Sequence, residues 1–176
     1  MDRLYAPWRM AYIDQPAAAK EHFAEGECVF CRKSRSEDDA GDLVLFKGCH
    51  AFVLMNLYPY TNGHLMVAPY DHTANLNDLS PETLSEIMLL TRRAARALGH
   101  SIHPDGYNIG MNVGKVAGAG IADHLHMHIV PRWDGDTNFM PVIADTKILP
   151  DSLEGSYRKL RAAWEALEEI DRDERR

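Results

Sequence analysis

The chain has 176 residues, of which 45% are hydrophobic, and its formal net charge is -7. This length and composition suit one globular domain with a substantial core and terminal extensions, whereas the acidic balance argues against a nucleic-acid partner, since backbone binding needs clustered Lys and Arg. No apolar run approaches the roughly 20 residues of a membrane span and the N-terminus lacks the apolar segment of a signal peptide, so we expect a cytoplasmic protein with no membrane partner.

The first informative stretch is Cys-Val-Phe-Cys at residues 28–31, which follows a predicted N-terminal extension over residues 1–27. In a chain with three cysteines, a C-x-x-C pair fits a reducing compartment and a metal or redox role better than a disulfide framework. A thioredoxin-like site would place the motif at the start of a helix after a strand. A complete zinc site would need two further ligands. The motif alone leaves a metal site, a redox pair and an incidental surface pair open.

Residues 32–42 are charged and contain glycine, which is typical of a surface loop. Three strands are then predicted, at residues 43–46, 50–56 and 63–69. The last two are joined by a turn that contains prolines and an Asn-Gly pair. This succession predicts an antiparallel meander.

A long helix is predicted to begin at Ser80, because Pro81 and Glu82 follow in the order preferred at helix N-termini. We expect its apolar stripe to lie across the sheet; the stripe consists of Leu84, Ile87, Met88, Thr91, Ala95 and Leu98. Further strands are predicted at residues 107–113 and at the histidine-rich stretch. A charged amphipathic helix is predicted at residues 152–172, with Trp164 on its apolar side.

The histidine-rich stretch places His124, His126 and His128 at alternate positions, with apolar residues between them. A two-residue period is that of a β-strand, so the three imidazoles are expected to share one face while the apolar side chains share the other. Neighbouring histidines on a strand lie about 6.6 to 6.8 Å apart, close enough for their rings to converge on one phosphate or one metal ion. One alternative is therefore a catalytic zinc with an open water position.

The segment before the histidines, residues 116–120, is small and rich in glycine. Glycines let backbone N–H groups approach an anion closely, although this spacing matches no known dinucleotide or P-loop fingerprint. By itself such a segment is more often a flexible turn. Next to three histidines on one face, it favours an anion-binding loop.

The segment HLHMHIV resembles the signature of the histidine triad (HIT) superfamily of nucleotide hydrolases and transferases, three histidines separated by single apolar residues. The segment FVLMNLYPYTNGHLMVAP is similar to the hairpin that precedes this signature in the family, so the resemblance covers roughly residues 28–140. The flanking stretches, which include Trp133 and Asn138, resemble most the bacterial diadenosine tetraphosphate phosphorylase branch, near the fragile-histidine-triad-like proteins.

The predicted fold is α+β and HIT-like: an antiparallel sheet of about five strands, one long helix packed across it and a C-terminal helix. The HIT domain would span residues 28–140. A C-terminal extension that contains the last helix would follow at residues 141–176.

The resemblance implies a role for each matching residue. His126 would attack the α-phosphorus and become a nucleotidyl-histidine, which suits an imidazole that is neutral and nucleophilic near pH 7. His128 and His64 would contact the same phosphate or the departing group. The positions that match substrate-binding residues are Asn56 at the ribose and Asn112 on the phosphate side.

The chain departs from the family pattern just before the first histidine. Many members carry a glutamine followed by serine or threonine there, whereas this chain has Gly120 and Ile121. Backbone N–H groups of Gly118, Ala119 and Gly120 are expected to replace the missing side-chain donors. The identity of the leaving group and of the acceptor is left open by this departure.

In the zinc-bearing members that this sequence resembles, two histidines complete the C-x-x-C site, and here they are His72 and His124. With Cys28 and Cys31 they would form a closed, structural Zn²⁺ site, and no cofactor would be required for the chemical step. The resemblance further implies a homodimer and a nucleotide or dinucleoside polyphosphate substrate. The alternatives are a nucleoside phosphoramidate hydrolase of the same family, a zinc-dependent metallohydrolase that uses the histidine cluster, and a regulatory module that binds nucleotide without turnover.

Overall fold

The computed structural model describes residues 27–137 and 151–173. Nearly all of the predicted N-terminal extension, residues 138–150 and therefore Asn138 lie outside the described residues. The helices are α1 Val29–Arg35, α2 Pro81–Ile102 and α3 Leu153–Asp173, and the strands are β1 Val44–Lys47, β2 Ala51–Met55, β3 Leu65–Pro69, β4 Gly106–Met111 and β5 Met127–Arg132.

The five strands form one antiparallel sheet in the order β1-β2-β3-β5-β4. The first three strands are the predicted meander, and β5 is inserted between β3 and β4. The predictions of an α+β fold with about five antiparallel strands, one long helix and a C-terminal helix are confirmed. Because β5 pairs with β3, the histidines come to lie beside the hairpin that carries His64.

Helix α2 lies against one face of the sheet and begins as predicted. The Ser80 side chain accepts a hydrogen bond from the Thr83 backbone N–H, and Pro81 occupies the first turn, where its missing N–H leaves no bond unmade. The helix ends at His103, whose left-handed φ of 47° terminates the helical path.

The predicted apolar stripe of α2 is partly wrong. Leu84 and Met88 are 38% and 56% exposed, and Ala95 is only half-buried. The buried face of the helix is instead formed by Thr83, Ile87, Leu90, Thr91, Ala94, Ala97 and Leu98. Two apolar rows run side by side on this helix, and the row that contains the small side chains of Ala94 and Ala97 packs against the core, where it permits close approach.

Helix α3 covers the same layer as α2 and confirms the prediction for residues 152–172. Trp164 is 1% exposed, packs against Phe46 at 5.2 Å between ring centroids, and has the Arg93 guanidinium over its ring at 4.7 Å. The Tyr157 hydroxyl donates to the Val44 carbonyl at 3.0 Å. Helix α3 therefore contributes side chains to the main core and contacts strand β1.

The opposite face of the sheet carries a second apolar cluster. It consists of Phe30 of α1 and of the side chains of Val44, Phe52, Leu54, Met66 and Ala68. Met66 is paired across the sheet with His128. The histidine side chains therefore lie on the α1 side, whereas Leu125 and Ile129 belong to the main core on the α2 side. Within the described residues, no helix is long and apolar enough to cross a membrane.

Candidate functional site

The alternation of the histidine stretch extends beyond the regular strand. Strand β5 begins only at Met127, so His124 and His126 precede it. His126 is 5% exposed and His128 is 9% exposed. Their ring centroids are 4.7 Å apart with an interplanar angle of 76°. The structure therefore brings these two imidazoles together as expected, while the His124 ring takes part in a different cluster.

The hairpin histidine, His64, joins this pair from strand β3. It is completely buried, and its Nε2 lies 2.9 Å from Nδ1 of His128. Its own Nδ1 accepts a hydrogen bond from the backbone N–H of Tyr60 at 3.1 Å. The Asn56 side-chain amide nitrogen also lies 3.3 Å from His64 Nδ1. His64, His128 and His126 thus form one connected group.

The backbone donor at Tyr60 determines where the ring protons of His64 and His128 lie. Because His64 Nδ1 must accept from that N–H, a neutral His64 carries its proton on Nε2. That Nε2–H donates to Nδ1 of His128, so a neutral His128 carries its own proton on Nε2. His128 thereby offers a hydrogen-bond donor through the ring atom farthest from its backbone.

His126 has the opposite tautomer. Its Nδ1 lies 2.9 Å from the backbone carbonyl oxygen of His124, which can only accept, so the Nδ1–H donates to it. A neutral His126 therefore keeps a lone pair on Nε2. One imidazole with a nucleophilic Nε2 stands beside another with a donating Nε2–H, an arrangement that can attack and stabilise a phosphoryl group.

Burial keeps these rings neutral. It lowers the pKa of His126 below its ordinary value, against the opposing effect of the hydrogen bond to the His124 carbonyl. Burial, with a smaller contribution from the neighbouring His126, lowers the pKa of His128 to about 4. The neutral tautomers described above for His126 and His128 are therefore the relevant forms near pH 7.

The predicted ribose-binding residue, Asn56, is held within the turn after β2. Its side-chain oxygen accepts the backbone N–H of Tyr58 at 2.9 Å, which directs its amide nitrogen towards His64. In this structure Asn56 thus has the turn role that its residue type also permits. Its part in ribose binding stays a prediction.

The predicted anion-binding loop lies between β4 and the histidines. Gly118 has a φ of +90°, which favours glycine, and a Cβ placed there would lie 4.0 Å from the Asn112 side-chain nitrogen. Gly118 and Gly120 are exposed and Ala119 is half-buried. Asn112 lies next to this loop, and its contact with a ligand stays a prediction. The Gly118 and Ala119 N–H groups donate to the Lys115 and Gly114 carbonyls at 3.0 and 3.4 Å, so these two predicted anion donors are already engaged within the loop.

Trp133 follows β5 and is half-buried. Its Nε1–H donates to the His103 carbonyl at 3.2 Å, across the end of α2. This contact fits an anchoring role for Trp133.

The second constellation brings together all four predicted metal ligands. Cys28 Sγ lies 3.4 Å and Cys31 Sγ 3.6 Å from His124 Nδ1. His72 Nδ1 lies 3.4 Å from Cys31 Sγ and 3.3 Å from His124 Nδ1. A tetrahedral zinc site with ordinary bond lengths has edges of about 3.5 Å between sulfur and nitrogen and about 3.3 Å between two nitrogens. The observed spacings fit that tetrahedron.

The surroundings of the cluster also fit a metal. His124 Nε2–H donates to the Pro69 carbonyl at 2.9 Å, which leaves Nδ1 free of a proton and orients it as a ligand. Burial, followed by the charge of Cys28, raises the pKa of the Cys31 thiol, so a divalent cation is what would stabilise two adjacent thiolates. Two imidazole nitrogens beside the thiols favour a metal site over a redox pair.

A catalytic zinc held by all three triad histidines does not fit this geometry. His124 Nδ1 faces the cysteines, whereas His126 Nδ1 and His128 Nδ1 are engaged by the His124 carbonyl and by His64. Within residues 27–137 and 151–173, the metal-capable side chains that gather are those of Cys28, Cys31, His72 and His124.

Two residues beside the triad were not predicted as site residues. The Tyr60 ring lies 4.7 Å from His64 and 5.9 Å from His128, and Phe30 packs against His124 and His126. Phe30 stands inside the C-x-x-C motif and Tyr60 in the turn before His64. The closeness of these two residues to the motifs in the sequence was the one signal that could have identified them. The histidine ring that each aromatic residue contacts is seen only in the folded chain.

Comparison with known proteins gives a consistent result. The HIT domain family model matches residues 37–135. The chain is 36% identical over 166 residues to AP-4-A phosphorylase of Mycobacterium tuberculosis, an alignment that covers 93% of this chain and 85% of that protein. It is 33% identical over 110 residues to adenosine 5'-monophosphoramidase HNT1 of Saccharomyces cerevisiae, covering 62% of this chain and 65% of that protein.

Among solved structures, the fold is similar to that of a Zn-bound histidine triad family protein from Mycobacterium smegmatis. The TM-score is 0.66 and the sequence identity is 33%, and the match covers 82% of this chain and 97% of that protein.

Proposed function

The chain belongs to the HIT domain family and is a nucleotide hydrolase or transferase, and from this premise we propose that it cleaves dinucleoside polyphosphates, such as diadenosine tetraphosphate, through a nucleotidyl intermediate on His126. The observation that carries the proposal is the pair of opposite tautomers at His126 and His128. The substrate class is supported by the likeness to AP-4-A phosphorylase, which extends over 93% of the chain.

In the first step, Nε2 of His126 attacks the α-phosphorus and forms a P–N bond while the bond to the bridging oxygen breaks. For diadenosine tetraphosphate, ATP departs with the electron pair of that bond, and AMP stays on the histidine. The positive charge that develops on the ring is stabilised through Nδ1–H by the His124 carbonyl. His128 Nε2–H stabilises the negative charge on a phosphoryl or departing oxygen.

In the second step, an acceptor oxygen attacks the same phosphorus and the P–N bond breaks, which returns the lone pair to His126 Nε2. Where the acceptor is water, its proton passes to the solvent. Water as acceptor yields AMP, and inorganic phosphate yields ADP. The Gly118 and Ala119 N–H groups donate to carbonyls within the loop, so of the three expected donors Gly120 is the one proposed to contact a second anion. We propose phosphate as the preferred acceptor, supported by the resemblance to the phosphorylase branch.

The Zn²⁺ ion in this proposal would be held by Cys28, Cys31, His72 and His124, with no open position for substrate. When bound it supplies structural crosslinking rather than Lewis-acid chemistry. The chain's own contribution is to hold the His124 carbonyl, and through it His126 Nδ1–H, in a fixed place.

The products distinguish hydrolase from phosphorylase. Purified protein is incubated with diadenosine tetraphosphate, with and without millimolar phosphate, and nucleotides are separated by ion-exchange chromatography. We expect ATP in both reactions, with ADP replacing AMP as phosphate is added. AMP and ATP without ADP at high phosphate would assign the hydrolase reaction. The absence of any cleavage, or of a covalent adduct by intact-mass spectrometry after acid-free quenching, would contradict the proposed function.

A second candidate is hydrolysis of adenosine 5'-phosphoramidate, which is supported by the 33% identity to a yeast adenosine 5'-monophosphoramidase. The same His126 attack would break the P–N bond of the substrate, and the departing nitrogen would take up a proton from solvent and leave as ammonia. Measuring kcat/KM for both substrates on one preparation decides between them. A phosphoramidate value that is higher by an order of magnitude would favour the second candidate.

We further propose a homodimer. Strand β4 lies at one end of the sheet and is paired only with β5 among the described residues. Ile109 on this strand and Val113 just after it are 47% and 43% exposed. An edge strand with exposed apolar side chains is a surface that a second copy can cover.

A further inference from the structure

Phe30 connects the cysteine cluster to the triad. It stands between Cys28 and Cys31 in the sequence and is 1% exposed. Its ring centroid lies 4.8 Å from that of His126, with an interplanar angle of 36°, and 5.1 Å from that of His124. This aromatic residue therefore touches both a predicted metal ligand and the proposed nucleophile.

The His126 imidazole is held from three directions. Phe30 packs against it, His128 meets it edge-on at 4.7 Å, and its Nδ1–H donates to the His124 carbonyl. One hydrogen bond fixes one ring atom only, and the torsion that rotates a histidine ring is intrinsically broad. The flanking rings must therefore supply most of the restriction on where Nε2 points.

Helix α1 presents Phe30 to the site, and both ends of this helix are anchored. Cys28 and Cys31 lie in the metal cluster. Lys33 is 5% exposed. Its ammonium group donates to the backbone carbonyl of Asp42 at 2.8 Å and lies 3.3 Å from the side-chain carboxylate of the same residue. A helix of seven residues is too short to be stable alone. Its anchors therefore determine where Phe30 lies.

We propose that Phe30 is a positioning residue for His126: its ring restricts rotation of the imidazole, so that Nε2 stays directed at the phosphorus. The proposal rests on the proposed function in that His126 is taken as the nucleophile. Displacement of a reacting atom by about 1 Å can lower a rate on the order of a hundredfold. A shorter side chain at position 30 should thus slow formation of the nucleotidyl-histidine without weakening substrate binding.

Phe52 provides a matched control. It belongs to the same apolar cluster and is completely buried, and its ring stacks on Tyr70 at 5.6 Å. Phe30→Leu and Phe52→Leu remove the same atoms from the same cluster. A loss that reflects only the stability of the cluster will appear in both variants.

The first measurement is kinetic. In single-turnover experiments on zinc-loaded protein, we expect Phe30→Leu to slow adduct formation on the order of tenfold to a hundredfold, with KM changed less than about threefold. Phe52→Leu should keep the wild-type rate. Zinc content is measured on each preparation and should be unchanged.

The second measurement does not depend on activity. Long-range ¹H–¹⁵N spectra of the imidazoles should show shifted or broadened His126 ring signals in Phe30→Leu, with His64 signals unchanged. Phe52→Leu should leave both sets of signals in place. Phe30→Met, whose unbranched side chain is longer than that of Leu, should lie between Phe30→Leu and wild type in both measurements, and it replaces Phe30→Leu if that variant does not fold.

The proposal would be overturned by equal rate losses in Phe30→Leu and Phe52→Leu, by a loss confined to KM, or by a rate loss matched by loss of zinc. A wild-type protein that forms no adduct would contradict the proposed function itself. An active wild type with an unaffected Phe30→Leu would contradict only the role of Phe30.

Discussion

The positions of three ring protons set the chemistry at the scale of single residues. The Tyr60 N–H directs the proton of His64, His64 directs that of His128, and the His124 carbonyl directs that of His126. Each proton is placed by a backbone group, directly or through one ring. Substitution of His126 or of His128 therefore leaves in place the groups that orient the other rings.

The first prediction concerns His126. His126→Ala should lower turnover by on the order of 10⁴-fold or more, because it removes the atom that forms the P–N bond. Nucleotide binding, measured by calorimetry, should be largely retained because the surrounding scaffold is unchanged. His100→Ala, which alters an exposed histidine of α2, serves as the control. Near wild-type turnover in His126→Ala would remove His126 from the mechanism.

The second prediction concerns pH and follows from His128, whose pKa burial lowers to about 4. The unfolded chain protonates this ring near its ordinary value of 6.5, so between these two values the unfolded state binds more protons. The free energy of unfolding should therefore fall as the pH drops from about 6.5 to 4. The contribution of this one group is on the order of 3 kcal/mol.

His128→Asn tests the sign and the size of this effect. Urea denaturation of both zinc-loaded proteins at several pH values should give a shallower pH dependence for the variant across that interval. The comparison cancels the contributions of the histidines that do not contact His128. Parallel curves for the two proteins would mean that His128 titrates normally in the folded state.

Single residues also show the limit of prediction from sequence. The four metal-ligand positions could be predicted because three of them stand in local sequence patterns, the C-x-x-C motif and the histidine triad. The resemblance to zinc-bearing family members supplied the fourth, His72. The contact of Phe30 with His126 joins residues 96 positions apart, and the use of the Asn56 oxygen by the Tyr58 N–H depends on one turn conformation. No local pattern specifies the first interaction, and the second is a turn that an Asn permits without requiring it.

At the scale of elements, the cysteine cluster fastens helix α1 to strand ends on the sheet. Metal analysis of purified protein should find about one Zn per chain, and Cys28→Ser should lose it together with thermal stability, since metal binding is coupled to folding. Cys49→Ser is the matched control, because Cys49 is exposed and lies outside the cluster. Metal-free wild type with unchanged stability would contradict this prediction.

Helix α3 contributes stability rather than chemistry. Trp164→Ala should lower the free energy of unfolding by about 3 to 5 kcal/mol, because it leaves a cavity between Phe46 and Arg93. At a temperature where the variant remains folded, kcat should stay within about twofold of wild type, since the helix lies on the far face of the sheet. The control is Glu169→Ala on the exposed side of the same helix. A large loss of kcat in folded Trp164→Ala would mean that α3 reaches the site.

Elements were predicted well where the pattern itself specifies them. The start of α2 follows from Ser80 and Pro81, and the meander from its turns. The buried face of α2 could not be chosen from hydrophobicity alone, because Leu84 and Met88 are large and apolar and yet exposed. That choice depends on how closely Ala94 and Ala97 let the helix approach its neighbours.

At the scale of the whole molecule, the proposed dimer should be visible in solution. Light scattering after size-exclusion chromatography should give about twice the 19.9 kDa chain mass at micromolar concentration. Ile109→Lys should shift the protein towards the single-chain mass, because a charge on the exposed edge opposes its burial. Ile170→Lys on α3, at a position that is 41% exposed, is the control. Wild-type protein at the single-chain mass would exclude the dimer under these conditions.

The position of His124 and His126 immediately before β5, late in the chain, has a consequence for synthesis on the ribosome. Cys28 is synthesised 96 residues before His124. At a translation rate of roughly 5 to 20 residues per second, the last ligand of the cluster is therefore added about 5 to 20 s after the first. His126 follows two residues later. A growing chain therefore completes its metal cluster and its reactive histidine almost together, and a truncated product lacks both. Nascent chains arrested before residue 124 should bind the metal weakly and remain chemically inert.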